Sequence, residues 1–197
     1  MDAIVEAALR KWPSVPHCYG WLALDARGEW YMRDDRIQAA GPFPQVKGSR
    51  IHHDKLREFI HRNYSHDDAG AWFFQNGPQR VYVELEATPW VWRVDVGAGG
   101  RAGGDTDVAS AHVGRGGWQV SSHTGLPAVP AQAWLDETGR LYLDTDLGFG
   151  LVHTLDTGIA ADAIEAGDWP LREMVFADMP AQFGYCLKPI NPKLATT

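Results

Sequence analysis

FFQNGPQR, residues 73–80, gathers Gln75, Asn76, Gln79 and Arg80 at one hairpin tip, with Trp72, Phe73, Phe74 and Tyr82 on its flanks. Aromatic planes beside amides and a guanidinium suit a flat ligand that is hydrogen-bonding or anionic. The competing reading is that Asn76-Gly77 makes the turn and the amides satisfy backbone groups nearby. WYMRD carries a similar mixture in Trp30, Tyr31, Arg33 and Asp34. His53, Arg57 and His61 form a polar stripe on a predicted helix, a surface able to meet a partner or an anionic ligand. Ser121, Ser122 and His123 adjoin one another. His123 or His153 with an acidic neighbour is the arrangement a hydrolase or transferase would need, but a triad is spatial and no G-x-S-x-G elbow occurs. No catalytic residue is named on this basis. The candidate ligand-binding residues are Trp30, Tyr31, Arg33, Arg57, Trp72, Phe74, Gln75, Asn76, Arg80 and His123.

Other chemistries find less support. Gly97 to Ala102 matches G-x-G-x-x-A, but Gly103-Gly104-Asp105-Thr106-Asp107 follows where a helix must begin to face a pyrophosphate. No Gly-Lys-Ser/Thr occurs. His52, His53, His61 and His66 cluster in sequence, yet His53 and His61 would stand about 12 Å apart along a helix, too far for one ion. No metal site is expected, and no cofactor is named. The net charge of −7 and scattered basic residues argue against a nucleic-acid surface. MDAIVEAALRKWP has no apolar core of a leader, and no apolar run approaches the roughly 18 residues of a membrane span. Cys18 and Cys186 form no CxxC and read as two thiols of a cytoplasmic protein, packed against each other by the fold. Of the nine tryptophans, most should lie in the core.

The elements that must position these residues follow from periodicity. A short amphipathic helix is expected over 2–12, with Val5, Ala8, Leu9 and Trp12 on one side and Pro13 ending it. Trp21 to Leu24 and Trp30 to Met32 read as strands joined by a turn over Asp25–Gly28. Residues 37–50 read as a loop. The best helix covers 51–64, with Leu56, Phe59 and Ile60 as its apolar face and a Glu58–Arg62 ion pair. Val81, Val83 and Leu85 alternate with Tyr82, Glu84 and Glu86 as in a half-buried strand, and Trp90 to Val96 extends again after Pro89. The Gly-rich residues 97–117 read as a loop or linker. Strands resume at 118, a hairpin spans 133–145, GFGLVHTL is a strand, ADAIEA a short helix and 171–177 a closing strand.

Two echoes run through the chain. WLALDARGEWYMRD (21–34) resembles AWLDETGRLYLDTD (133–146), and LEATPWVW (85–92) resembles FADMPAQF (176–183). Two ordered echoes favour a duplicated unit over recurring turn chemistry. The fold class expected is α+β: two related, mainly antiparallel sheet-plus-helix halves packed together, residues 1–96 and 118–197.

PHCYGWLALDARGEWYMRD, RNY, WFFQNGPQRVYVELEATPWVWR, AWLDETGRLYLDT and PAQFGY together resemble a small family of uncharacterised proteobacterial proteins, a domain of unknown function. The resemblance spans nearly the whole chain outside 97–117. Residues 20–95 are also remotely similar to a second unknown-function family. That similarity implies a duplicated core, a second half of pleckstrin-homology character, a ligand site between the halves and a signalling role. Neither family implies a catalytic residue. The sequence reading is therefore a cytoplasmic small-molecule-binding or sensory module, a nucleotide-like ligand among its candidates, with no membrane or nucleic-acid partner. A His–carboxylate enzyme and a protein-interaction or homodimer module are the alternatives.

Overall fold

The computed structural model describes residues 1–97 and 117–192. The dinucleotide-like stretch after Gly97 and most of the expected linker lie outside the described residues. The chain divides into two compact units, Met1–Pro89 with Gly184–Thr197, and Trp90–Phe183. The division runs between Pro89 and Trp90, not through the Gly-rich segment, because the strand that follows Pro89 hydrogen-bonds only to strands of the second unit. The C-terminal segment returns to the first unit: Leu85 N–H donates to Leu187 O (2.8 Å) and Cys186 N–H to Gly70 O (3.0 Å).

The first unit holds α1 (Ala3–Lys11), β1 (Cys18–Leu24), β2 (Trp30–Met32), α2 (Asp35–Ala40), β3 (Ser49–Arg50), α3 (Asp54–Arg62), β4 (Tyr64–His66), β5 (Trp72–Asn76) and β6 (Gln79–Leu85). Its sheet runs β3-β2-β1-β6-β5-β4, with β1 and β6 parallel and the other pairs antiparallel. The expected loop over 37–50 thus contains the end of a helix and a short strand. Asp34 starts that helix, its Oδ1 accepting the Ile37 N–H at 3.0 Å. The second unit holds β7 (Trp90–Val96), β8 (Trp118–Ser122), β9 (Pro127–Ala128), β10 (Pro130–Leu135), β11 (Leu141–Thr145), β12 (Gly148–Val152), α4 (Thr157–Glu165), β13 (Leu171–Glu173) and α5 (Met179–Phe183). Its sheet runs β13-β10-β11-β12-β7-β8-β9. The closing strand is shorter than expected, since residues 176–178 are already 3-10 helix.

The protein is therefore α+β, two units each built on one mixed sheet with helices. In both, an antiparallel hairpin is followed later by a helix and then by a strand lying parallel to the hairpin's first strand. The local order is β2-β1-β6 in one and β11-β10-β13 in the other. This organisation is consistent with duplication.

The two sequence echoes have different physical origins. In the first, Asp25 Oδ1 accepts the N–H groups of Arg27 (2.9 Å) and Glu29 (3.0 Å), and Gly28 stands at φ +78°. Asp136 Oδ1 accepts Thr138 and Arg140 N–H, both at 2.9 Å, and Gly139 stands at φ +82°. The same turn recurs twice more. Asp67 binds the amides of Ala69 and Ala71 before Gly70 turns at φ +73°, and Ser122 Oγ binds those of Thr124 and Leu126 around Gly125. An anchor that accepts two amides, with a left-handed Gly three residues on, is a general solution for joining two strands. The second echo joins unlike structures: Pro89 precedes a strand, whereas Pro180 lies within α5.

Helix α3 packs on one face of the first sheet. Phe59 meets Phe74 edge-on at 5.4 Å, and Ile60 is buried. Leu56, expected on this face, is exposed, and the Glu58–Arg62 pair does not form; Arg62 instead reaches Asp2 at 3.3 Å. His61, expected on the polar stripe, turns inward, and its Nε2 accepts the Trp30 indole N–H at 3.0 Å. Burial, reinforced by Arg57, holds the His61 imidazolium below its ordinary range. The unfolded chain takes up this proton near pH 6.5, the folded chain only at lower pH. Stability linked to His61 is thus full above about pH 6.5 and is lost as pH falls through the folded value. The urea midpoint of the wild type is expected to fall between about pH 7 and 5, and that of His61→Gln to fall less. Equal slopes for the two proteins would remove His61 from this account.

Candidate functional site

Directly paired residues of neighbouring strands share a face of the sheet. In the first unit the pairings Phe73–Tyr82, Gln75–Arg80, Ala23–Glu84 and Ala23–Tyr31 put Phe73, Gln75, Arg80, Tyr82, Glu84 and Tyr31 on one face. The pairings Phe74–Val81, His66–Trp72 and Leu24–Trp30 put Trp72, Phe74 and Trp30 on the other, the face α3 covers. The ten candidate residues therefore separate. Trp30, Trp72 and Phe74 are core, at 1%, 8% and 6% exposure. Trp72 packs on Tyr64 and His66, and Trp30 meets Tyr64 edge-on.

Several of the others serve the fold. Gln75 is buried and its Nε2 donates to Gly77 O at 2.9 Å, while Gln79 Nε2 donates to Pro16 O at 3.0 Å. These amides satisfy backbone, as the simpler reading of the tip required. Asn76 is exposed beside Gly77, whose φ of +55° makes the turn. Arg33 is buried against Glu84 in an ion pair, and its remaining donors go to Val46 O (3.2 Å) and Gly41 O (2.8 Å). Glu84 is thus not on a solvated side of its strand; a buried carboxylate is tolerated there because Arg33 matches it. Tyr31 lies beside Phe43, with Lys47 Nζ 5.5 Å from its ring centroid. Lys47 in turn bonds Asp25 and Glu86, each at 3.0 Å. Arg57 pairs with Asp54 at 2.6 Å on the outside of α3.

What remains on the face opposite α3 is an aromatic cluster around Arg80. Tyr19 stacks on Tyr82 with centroids 4.6 Å apart and planes 7° from parallel. Phe73 meets Tyr82 edge-on at 5.8 Å, and so does His17. The Arg80 guanidinium lies 4.4 Å over the Phe73 ring. The Tyr82 hydroxyl donates to Asp67 Oδ2 at 2.9 Å. Cys186 packs against the same group of side chains. Burial pushes the Tyr19 and Tyr82 hydroxyls up, so both stay protonated. Burial and the Arg80 charge push His17 down, against the opposing pull of Asp67. Tyr82 and Phe73 are buried, Tyr19 and Arg80 half-buried, and His17 exposed, so the cluster reaches solvent at one margin.

Sequence reasoning found Arg80, and counted Phe73 and Tyr82 as its flanks, but missed His17, Tyr19, Asp67 and Cys186. Asp67 could have been found, because DDAG at 67–70 is a third copy of the turn signature. Tyr19 carried no local signal; its place depends on β1 lying parallel to β6, some 60 residues away in sequence.

The second unit holds His123 and His153. His123 Nδ1 accepts the Val91 N–H at 3.3 Å and its ring leans on Trp90. His153 Nδ1 accepts the Leu155 N–H at 3.1 Å. Asp156 commits its carboxylate to Arg93 and to the Val94 amide at 3.1 Å, and Ser122 Oγ is the anchor of its turn. Both cysteines are free thiols. Among the described residues no group of three His, Cys, Asp or Glu could hold a metal ion, and no helix is long and apolar enough to cross a membrane.

A family model described as "Protein of unknown function (DUF2946)", and itself called DUF2944, matches residues 1–190. The chain belongs to this family of unknown function. No curated protein matches it. Among solved structures it is similar to a DUF1285 family protein from Shewanella baltica, at 15% identity and a TM-score of 0.47, over 75% of this chain and 95% of that one. It is also similar to a DUF1285 family protein from Silicibacter pomeroyi, at 13% identity and the same TM-score, over 82% and 84%. The family of unknown function agrees with the resemblance read from nearly the whole sequence.

Proposed function

We propose that the chain is a small-molecule-binding module, sensory rather than catalytic, and that a planar ligand lies against Tyr19 on the Arg80 face of the first unit. One observation carries this reading: a stacked tyrosine pair stands beside a guanidinium held over a third ring, at a margin the solvent reaches. One face of Tyr19 is taken by Tyr82, and the residue is only half-buried, so part of its surface meets solvent. Rigid rings offer area at small entropic cost, so they suit recognition of flat molecules. A nucleotide-like ligand is one that meets these terms.

The test is a thermal-shift screen against nucleotides and common aromatic metabolites. A ligand at a hundredfold its Kd stabilises by about 2.7 kcal/mol, which for a chain of this size raises Tm by roughly 5–10 °C. Tyr19→Ala is expected to lower its own Tm by a few degrees, as the stacking contact is lost, and to show no further rise with ligand from that baseline. Trp30→Ala is no control here, because Trp30 is core. A flat screen across the whole panel sinks the reading.

A further inference from the structure

The second unit contains the same chemical trio as the first, with its charge already matched. Asp136 Oδ2 accepts both the Tyr142 hydroxyl (2.8 Å) and Arg140 Nε (2.7 Å), and Arg140 lies 4.5 Å over the Phe176 ring. In the first unit Asp67 Oδ2 accepts the Tyr82 hydroxyl and Arg80 lies over Phe73, but among the described residues Arg80 forms no salt bridge. The cause is topological. Arg140 is the last residue of the turn that Asp136 begins. Arg80 comes from β6, whereas Asp67 opens the turn before β5, so the arginine is not delivered by the carboxylate's own turn.

The fold pairs its other cations on this face: Arg33 with Glu84, Lys47 with Asp25 and Glu86, and Arg50 with Glu29. A half-buried guanidinium without a carboxylate, fixed on a ring, is a planar donor prepared for an incoming anion. We infer that the ligand of the first unit carries an anionic group, carboxylate or phosphate, that binds Arg80 as the Asp136 carboxylate binds Arg140. This rests on the stacking reading above and adds the charge. Phe73 beneath and Tyr82 beside the guanidinium limit where the anion can sit.

Two matched pairs of probes test it by calorimetry: adenosine 5′-monophosphate against adenosine, and 1-naphthoate against 1-naphthamide. The anionic member of one pair is expected to bind roughly ten- to hundredfold tighter, as a charge-assisted hydrogen bond confers. The pair that shows the gap distinguishes phosphate from carboxylate. In Arg80→Gln the gap is expected to close while the neutral probe keeps its affinity. In the wild type the gap should also narrow as ionic strength rises, a readout that needs no variant to fold. Equal binding within both pairs overturns the inference and leaves stacking intact. Binding by none of the four probes overturns both.

Discussion

Asp136→Ala is expected to cost about 3–5 kcal/mol of unfolding free energy, the range for breaking a buried charge network by removing one member. The carboxylate is fully buried and receives five hydrogen bonds: the N–H groups of Thr138 and Arg140, the Thr138 hydroxyl, Arg140 Nε and the Tyr142 hydroxyl. Alanine would strip this acceptor from Tyr142, itself fully buried, and leave Arg140 without its counter-charge. The four turns make an internal scale, since each anchor accepts the same two amides and differs in what else it holds. Ser122→Ala, which loses a neutral hydroxyl, should cost about 1 kcal/mol, as for a lost helix cap. Urea unfolding of the two variants checks the ranking, and a cost for Asp136→Ala no larger than for Ser122→Ala would sink it.

The same site sets an acid limit. Burial alone would raise the Asp136 carboxyl, but the Arg140 N–H, the Thr138 and Tyr142 hydroxyls and the Arg140 guanidinium together hold it far below the usual carboxylate range. The unfolded chain binds this proton near pH 4 and the folded chain only well below it. The stabilisation is therefore complete above about pH 4 and lost as pH falls beneath that. Wild type and Asp136→Asn should converge in stability as the solution is acidified.

These turns also show what the chain's own pattern reveals and conceals. Asp-x-x-Gly is local, so the hairpin at 21–34 and its echo at 133–146 were legible as turns. The alternation of Val81, Val83 and Leu85 was legible as a strand for the same reason. Whether the echo meant ancestry was not legible, because the turn repeats wherever two strands need joining, openly in DDAG and behind a serine anchor in SHTG. The α+β class follows from turns that join most strands directly into antiparallel pairs, with only a few helices between them. Arg33 read as a candidate ligand contact and Glu84 as the polar side of its strand because a sequence weighs each charge alone, whereas a partner 51 residues away makes burial of both tolerable. His61 misled likewise: its helical position is amphipathic by count, yet Trp30 supplies the donor that draws it inward. At the candidate site, the tip residues Gln75 and Gln79 looked chemical and proved to be backbone acceptors' partners. The stack that makes the surface needs Tyr19, which only the parallel β1–β6 pairing brings in.

Gly70→Ala is expected to be far more damaging than Gly139→Ala, although both glycines occupy the same place in the same turn, at φ +73° and +82°. Each substitution places an L-residue in the left-handed region, at about 1–2 kcal/mol. At Gly139 an added Cβ meets nothing within 4 Å, so that conformational cost is the whole effect. At Gly70 the Cβ would sit on the Gly184 carbonyl oxygen and 3.0 Å from Tyr185 Cα, backbone that cannot swing aside as a side chain can. The segment is fastened there, since Cys186 N–H donates to Gly70 O (3.0 Å) and Leu85 N–H to Leu187 O (2.8 Å). Displacing it adds an overpacking cost of about 1–3 kcal/mol, for a total of about 2–5 kcal/mol. Chemical unfolding measures the difference, and equal losses at the two glycines would show that the close approach is not what matters. A second readout separates local detachment from global weakening. Cys186 packs on Ala71, Phe73 and Tyr82 beside this contact, so in Gly70→Ala its thiol should react with a labelling reagent much faster than in the wild type, under conditions where both remain folded. In Gly139→Ala the rate at Cys186 should be unchanged, because that turn belongs to the other unit.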